Sequence, residues 1–216
     1  MLEKMADFFD ARIENYDKHM LEGIEGAREF YPFTAECLPR TPEAVVLDLG
    51  CGTGLELEEY FKLNPTARVT GIDMSGEMLK ALNEKFPDKS LTLIHGSFFD
   101  MPLMPESYDG AVAVEALHHY TKEEKVVLYK KLYAAMKPGT DFILTDYFAD
   151  SDEDELLYAE TFRTVKELEG ITDNEPYHYD TPLTVEHETE ALREAGFTRV
   201  RVLKSWAATY TIRAGK

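Results

Sequence analysis

Residues 44–54, AVVLDLGCGTG, decide the fold predicted for this chain of 216 residues. The mostly apolar run 44–49 is typical of a strand that is buried on both faces of a parallel sheet. Gly50, Gly52 and Gly54 follow it, and a turn without side chains lets a ligand approach the backbone and lets a helix start close to the sheet. The stretch therefore predicts a strand, a ligand-binding turn and a helix in succession.

Strands and helices alternate on the carboxyl-terminal side of this turn. Apolar periodicity predicts helices at about 55–63, 75–85, 122–136 and 184–195, and strands at 67–73, 91–95, 108–114 and 141–147. Residues 197–215 add two β-rich runs that can form an antiparallel pair at the sheet edge. The pattern predicts a Rossmann-like α/β fold, a doubly wound and mostly parallel seven-stranded sheet with an antiparallel edge hairpin and helices on both faces.

Two segments have no place in this alternation. Residues 1 to about 38 carry an apolar stripe at three- and four-residue steps, which predicts helical structure that needs a partner. Residues 148–182 form an acidic helical insertion with a turn-rich tail. We predict a helical lid at 1–40 and a single domain at 41–216 that contains the insertion, with both segments folding over the ligand.

Charge and composition narrow the function classes. The chain has 23 Lys and Arg against 41 Asp and Glu, a formal charge of −18 that would repel a nucleic acid or an anionic membrane. No segment approaches the roughly 20 apolar residues that span a bilayer, and the N-terminus does not resemble a secretion signal. Only Cys37 and Cys51 are present, which excludes a disulfide framework and fits a reducing cytoplasm.

The glycine turn has a partner in the next strand. Asp73 ends that strand 19 residues after Gly54, where a carboxylate can accept hydrogen bonds from both hydroxyls of a ribose. A dinucleotide fingerprint, G-x-G-x-x-G, fails because its third glycine falls on Leu55 or Leu57. Asp48 would repel a pyrophosphate, whereas it suits a ligand that carries an ammonium group and a sulfonium.

Five sequence blocks, read together, resemble the class I S-adenosylmethionine-dependent methyltransferases. They are VVLDLGCGTG, GIDMSGEML, GSFFDMPL, YDGAVAVEALHH and LYAAMKPGTDFILTDYF, which run in the family's order from about residue 44 to 148. The resemblance implies S-adenosylmethionine as cofactor and S-adenosylhomocysteine as product. It says almost nothing about the methyl acceptor.

The same resemblance implies a role for particular positions. Asp48 would support the loop and the amino group of the cofactor, Asp73 would hold the ribose, and Glu115 would contact the methionine end. The full set of implied cofactor residues is Tyr16, Asp48, Gly50, Cys51, Gly52, Gly54, Asp73, Met74, Met78, Ser97, Phe98 and Glu115. Many members carry an acid where Ser97 stands, so its hydroxyl or the backbone would bind the adenine instead. Met74 and Phe98 are equally typical of ordinary core packing.

Catalysis needs little beyond positioning, because methyl transfer is an in-line displacement. We expect the acceptor pocket to be lined by Tyr16, His19, Glu115, His118, His119, Asp146 and Tyr147, with His178 either in the pocket or in a surface loop. His118, His119 and Tyr16 are the candidate catalytic residues, since an imidazole titrates near neutrality and can accept a proton. A packing or capping role for the two histidines fits the sequence as well. The spacing of histidines and cysteines predicts no metal site.

Three functions remain open at this point. The favoured one is a methyltransferase acting on a small molecule at oxygen, nitrogen or carbon, as a monomer or a homodimer. The second is a cofactor-binding sensor or partner subunit without activity. The third, a tRNA-modifying enzyme, is disfavoured by the charge and by the sequence Glu115-Ala116-Leu117-His118 where nucleic-acid methyltransferases carry an Asn/Asp-Pro-Pro-aromatic block. Some relatives use a carboxylated cofactor read by an extra arginine, and no arginine here can be assigned to that task.

Overall fold

The computed structural model describes residues 1–173 and 175–216. Seven strands form one sheet: β1 (Val45–Leu49), β2 (Arg68–Asp73), β3 (Ser90–His95), β4 (Gly110–Val114), β5 (Asp141–Tyr147), β6 (Arg199–Trp206) and β7 (Thr209–Gly215). Their spatial order is β3-β2-β1-β4-β5-β7-β6. The first five strands are parallel, and β7 runs antiparallel to both β5 and β6. The predicted fold class, including the antiparallel edge pair, is confirmed.

Eight α-helices accompany the sheet in the described part of the chain. They are α1 (Met5–Asp10), α2 (Tyr16–Gly23), α3 (Ala27–Glu36), α4 (Leu55–Leu63), α5 (Gly76–Lys85), α6 (Lys122–Ala135), α7 (Asp152–Leu168) and α8 (Val185–Glu194). Ser75, Thr121, Ser151 and Thr184 cap the N-termini of α5, α6, α7 and α8 by accepting a backbone N–H bond. None of these helices is long and apolar enough to cross a membrane.

The sheet is covered on both faces. Because side chains alternate along a strand, Val46 faces one layer and Leu47 the other. Val46 packs in a core with residues of α3, α4 and α5, whereas Leu47 packs in a second core with residues of α6 and α8. Burial on both faces explains why β1 and β4 consist almost entirely of apolar residues.

Strand order reverses between β1 and β4, which are neighbours in the sheet although β2 and β3 lie between them in the chain. The loops that follow β1 and β4 therefore leave the same edge of the sheet in opposite directions and open a crevice. The glycine turn follows β1, and residues Glu115–His119 follow β4. The fold thus brings the two most distinctive sequence motifs together.

The N-terminal segment is less regular than the single helical stripe suggested. It divides into α1, a 3₁₀ turn at Ile13–Asn15, α2 and α3, with Gly26 in a left-handed conformation before α3. α1 contacts α5, and the N–H of Met5 donates to the carbonyl of Pro176 at 2.9 Å. Residues 1–10 therefore touch both the sheet domain and the chain that follows α7.

Candidate active site

The glycine turn is held open by backbone geometry that other residues adopt poorly. Gly50, Gly52 and Gly54 have φ values of 72°, 46° and 72°. A Cβ on Gly50 would lie 2.6 Å from the Cβ of Ala116, which follows β4. The reversal of strand order therefore brings the two segments so close that a side chain on Gly50 would overlap Ala116.

Asp73 is fixed at the end of β2 and braces the turn. One carboxylate oxygen accepts from the N–H of Gly52 and the other from the N–H of Ser75, each at 2.8 Å. Burial raises the pKa of Asp73, and these backbone donors act in the opposite direction. Each oxygen retains capacity for a further hydrogen bond, so the carboxylate can still accept from a ligand.

A cavity lies against this turn, with about 500 Å³ of empty space, part of it open to solvent. Its lining is Met5, Phe9, Tyr16, Gly50, Gly52, Asp73, Met74, Met78, Phe98, Glu115, Ala116, His119 and Tyr120. Apolar side chains cover most of the wall, two carboxylates face it, and no lysine or arginine is among these residues. The wall suits a neutral or cationic ligand with an apolar ring and a diol, and it disfavours a pyrophosphate.

Further carboxyl groups lie beneath the turn. Asp48 is 1% exposed, and neither of its carboxylate oxygens has a hydrogen-bond partner in the described chain. Burial raises the pKa of Asp48 well above its usual value, and the carboxyl groups of Glu56 and Asp73 raise it further. A cation bound above the turn would offset this cost, so the electrostatics fit the ammonium and sulfonium groups inferred from the sequence.

A second cleft adjoins the cavity and holds about 1370 Å³ of empty space, part of it open to solvent. The two share Phe9, Tyr16, Glu115 and His119. We call the second cleft the acceptor cleft, because it contains residues that the sequence predicted for an acceptor pocket. Its remaining residues are Phe8, Arg12, Asn15, His19, Met20, Ile24, His118, Tyr147, His178, Asp180 and Thr209. A molecule in this cleft would therefore meet a cavity ligand at the shared residues.

Glu115 stands at that junction. Its φ of 49° is a left-handed conformation that is uncommon outside glycine and marks strain at the end of β4. Thr209 donates a hydrogen bond to its carboxylate at 3.0 Å. Burial raises the pKa of Glu115 to about 7, and the nearby Asp146 carboxylate contributes. Its charge therefore changes near neutral pH.

Histidines and carboxylates converge at the far side of Glu115. His118 Nδ1 lies 2.6 Å from Asp146 Oδ1, and its Nε2 lies 3.5 Å from Asp180 Oδ1. His119 Nδ1 lies 3.3 Å from the same Asp180 oxygen. Ligand-type atoms of His118, His119 and Asp180 lie within 4.8 Å of one another, as do those of Glu115, His118 and Asp146. Spacing alone could not show this grouping, because Asp180 lies 61 residues after His119. The prediction that the chain binds no metal stays a prediction.

Most residues expected from the sequence gather here, although not all reach the cavity. Gly50, Gly52, Asp73, Met74, Met78, Phe98, Glu115 and Tyr16 line it. Cys51 instead packs against Gly71, and Gly54 faces Leu82 and Phe86. Ser97 lies in a neighbouring depression with Tyr120. His19, His118, Tyr147 and His178 line the acceptor cleft, and Asp146 lies beneath His118.

Sequence reasoning missed several residues of the site. Met5 and Phe9 were visible only as members of an apolar stripe, and their place on the cavity depends on how α1 docks. Asp180 and Thr209 gave no signal, since neither belongs to a motif. The turn-rich tail of the insertion was the one available hint for Asp180.

Comparisons with known proteins agree with this geometry. Residues 46–139 match a family model described as a methyltransferase domain. An uncharacterized methyltransferase of Geobacillus sp. is 29% identical over 200 residues, which cover 92% of this chain and 88% of that protein. A carboxy-S-adenosyl-L-methionine synthase of Chromohalobacter salexigens is 30% identical over 73% of this chain and 63% of that protein.

Solved structures show the same fold. Human N-acetylserotonin methyltransferase in complex with S-adenosylmethionine superposes with a TM-score of 0.63, at 22% identity, over 88% of this chain and 52% of that chain. The chain spans less than two thirds of the length of several curated relatives that it matches. The range matched by the family model begins in β1, contains the glycine turn and ends after α6.

Proposed function

Because the chain belongs to the class I S-adenosylmethionine-dependent methyltransferases, we propose that it methylates a small-molecule acceptor by in-line displacement. One observation carries the proposal: the cavity at the glycine turn and the acceptor cleft lie side by side and share the lining residues Phe9, Tyr16, Glu115 and His119. Two ligands held in this way would meet at a fixed distance and angle. Such positioning supplies most of what a displacement reaction requires.

Different residues of the cavity would bind different parts of the cofactor. Asp73 would accept from the ribose hydroxyls, and Glu115 would bind the ammonium group of the methionine end. Met74, Met78 and Phe98 would enclose the adenine. When bound, S-adenosylmethionine supplies a methyl group on a positively charged sulfur, which is a strong electrophile. The neighbouring carboxylates favour that positive charge.

Residues 1–20 would act as a lid on both ligands. Asp10 accepts from the Ser75 hydroxyl at the start of α5, and Asp17 accepts from Thr53 of the glycine turn. Asp17 also pairs with Lys85 at 2.8 Å. Tyr16 is partly buried with its ring near Gly52, and desolvation together with Asp73 raises the pKa of its hydroxyl, which therefore stays neutral. Water would be excluded from the reacting atoms while these contacts hold.

The acceptor is proposed to be a small molecule on two grounds. The cleft is lined by residues of α1, α2 and the segment after α7, and its size is typical of a site for a small molecule. The formal charge of −18 also opposes binding of a polyanion.

Calorimetry with S-adenosylmethionine and S-adenosylhomocysteine tests cofactor binding, and a search for S-adenosylhomocysteine after incubation with a metabolite extract tests turnover. We expect both to be positive for the full chain. Absence of any heat for correctly folded protein would contradict the proposal. Binding without turnover would instead support a sensor or a partner subunit.

The lid has its own test. Deletion of residues 1–20 should weaken cofactor binding and slow turnover, because the cavity would lose Met5, Phe9 and Tyr16. Unchanged affinity and turnover in the truncated chain would reject the lid.

A further inference from the structure

The two adjacent histidines after β4 have different chemical surroundings. Both ring nitrogens of His118 face carboxylates, with Nδ1 2.6 Å from Asp146 and Nε2 3.5 Å from Asp180. Burial alone would lower the pKa of His118, but Asp146 and then Asp180 outweigh it and raise the pKa to about 10. The ring is therefore an imidazolium at neutral pH and has no lone pair with which to accept a proton.

Asp146 is held rigidly in this pair. It is 1% exposed, one oxygen accepts from the N–H of Leu117 at 2.9 Å, and the other accepts from the N–H of Tyr147 at 3.0 Å. The His118 cation lowers the pKa of Asp146 against the opposing effect of burial. His118 and Asp146 thus form a fixed ion pair whose role is to position the loop after β4.

His119 has the opposite character. Its Nδ1 lies 3.1 Å from the carbonyl oxygen of Tyr179, and a carbonyl oxygen can only accept. The proton of the neutral ring therefore resides on Nδ1, with the Asp180 carboxylate 3.3 Å away, and the lone pair resides on Nε2. In the described chain Nε2 has no hydrogen-bond partner and is not among the fully buried polar atoms.

The position of His119 matches a role in proton transfer. It is the one histidine that lines both the cofactor cavity and the acceptor cleft in the described chain. Burial, followed by the charge of His118, lowers its pKa, so the ring is neutral at pH 7. The titratable groups that face it are His118 on its own loop, and His178 and Asp180 on the segment after α7, with Glu115 in the shared wall.

Resting on the proposed function, we infer that His119 Nε2 accepts the proton of a phenolic or enolic hydroxyl acceptor, while His118 remains a fixed imidazolium. As the O–H bond breaks, the proton passes to Nε2, and an oxygen electron pair forms the new O–C bond with the methyl group. The C–S bond breaks and its electron pair stays on sulfur, which leaves a neutral thioether.

The positive charge that forms on His119 during this step would lie near a carboxylate of the site. Positive charge leaves the sulfonium position and reappears on the His119 imidazolium, whose Nδ1 lies 3.3 Å from the Asp180 carboxylate. A weak base of this kind removes a proton effectively only from an acidic hydroxyl, which favours phenols and enols over alkyl alcohols. Phe8, Phe9, Tyr147 and His178 give the cleft flat walls that match a planar ring.

Nitrogen-15 NMR of the histidine-labelled full chain tests the protonation states without any acceptor. We expect one ring to stay protonated at both nitrogens up to pH 8 and to disappear in His118→Asn. A second ring should be neutral with its proton on Nδ1 and should disappear in His119→Asn. A neutral His118 at pH 7, a His119 proton on Nε2, or Zn²⁺ replacing the Nδ1 proton of His119 would each overturn the inference.

A series of 4-substituted phenols of graded acidity, with anilines as the comparison, tests the acceptor class. We expect phenols to be methylated, and His119→Asn to lower kcat by about 100-fold. The loss should be smallest for 4-nitrophenol, which is already ionised near neutral pH. His187→Asn, on α8 and paired with Glu155, is the matched control and should behave as the unmodified chain.

The outcomes separate this inference from the proposed function. Loss of S-adenosylmethionine binding by the unmodified chain would contradict the proposed function itself. Intact binding with no phenol methylated, or an equal loss of kcat along the whole phenol series in His119→Asn, would overturn only the role of His119.

Discussion

The cofactor cavity and the acceptor cleft share a wall but are built differently. The cavity draws most of its lining from the continuous stretch between β1 and α6, including Gly50, Gly52, Asp73 and Phe98. The cleft combines α1 and α2 with Glu115–His119, Tyr147, His178, Asp180 and Thr209, which are far apart in the chain. The lining of the cavity therefore comes mainly from one stretch of the chain, whereas long-range packing assembles the lining of the cleft.

The largest effect, a loss of folding stability, is expected when a side chain is added to Gly50 in the glycine turn. Gly50→Ala combines a left-handed backbone, which costs about 1–2 kcal/mol, with an overlap on Ala116 that costs about 1–3 kcal/mol. Denaturant unfolding should show a loss of roughly 2–5 kcal/mol. Gly139→Ala has a φ of 80° but nothing within 4 Å of the added Cβ, so it should show only the backbone part. Equal losses in the two variants would mean that β1 and β4 do not approach so closely.

The next largest effect is expected at Asp73, the carboxylate that we propose binds the ribose hydroxyls. Asp73→Ala removes hydrogen bonds to a charged group worth about 1.5–3 kcal/mol, so the Kd for S-adenosylhomocysteine should rise about 10- to 150-fold. Asp88→Ala, at an exposed turn, is the matched control and should bind normally in calorimetry. A change of less than about threefold in Asp73→Ala would place the nucleoside elsewhere.

The affinity for S-adenosylmethionine should depend on pH through Glu115, which lies between the cavity and the cleft. The pKa of Glu115 is raised to about 7, so its carboxyl is neutral below that pH and ionised above it. Since only the ionised form attracts the ammonium group, the Kd for S-adenosylmethionine should fall about tenfold between about pH 6 and pH 8. Glu115→Gln should remove this dependence. If the Kd of Glu115→Gln for S-adenosylmethionine still changes with pH in the same way, another group is responsible for the titration.

The smallest effect is expected at the lid. Phe8 stacks on His178 with ring centroids 3.4 Å apart, and the Arg12 guanidinium lies 3.7 Å from the Phe8 ring centre. Phe8→Ala should speed S-adenosylhomocysteine dissociation about two- to tenfold in stopped-flow measurements, since an aromatic pair contributes about 0.5–1.5 kcal/mol. Leu157→Ala, at an exposed position of α7, should leave the rate unchanged. If S-adenosylhomocysteine dissociates from Phe8→Ala at the same rate as from the control, the packing of α1 on His178 does not limit product release.

The sequence alone determined the alternating fold, the glycine turn and the pairing of that turn with Asp73. These follow from short-range rules, because buried parallel strands need apolar runs and a close backbone approach needs glycine. The class of cofactor followed from the same residues.

The different protonation states of His118 and His119 depend on the tertiary structure alone. In sequence they are equivalent neighbours, and their protonation differs because Asp146, Tyr179 and Asp180 reach them from β5 and from the segment after α7. A pKa depends on burial and on charges within a few ångströms, and the chain order does not reveal which groups come that close.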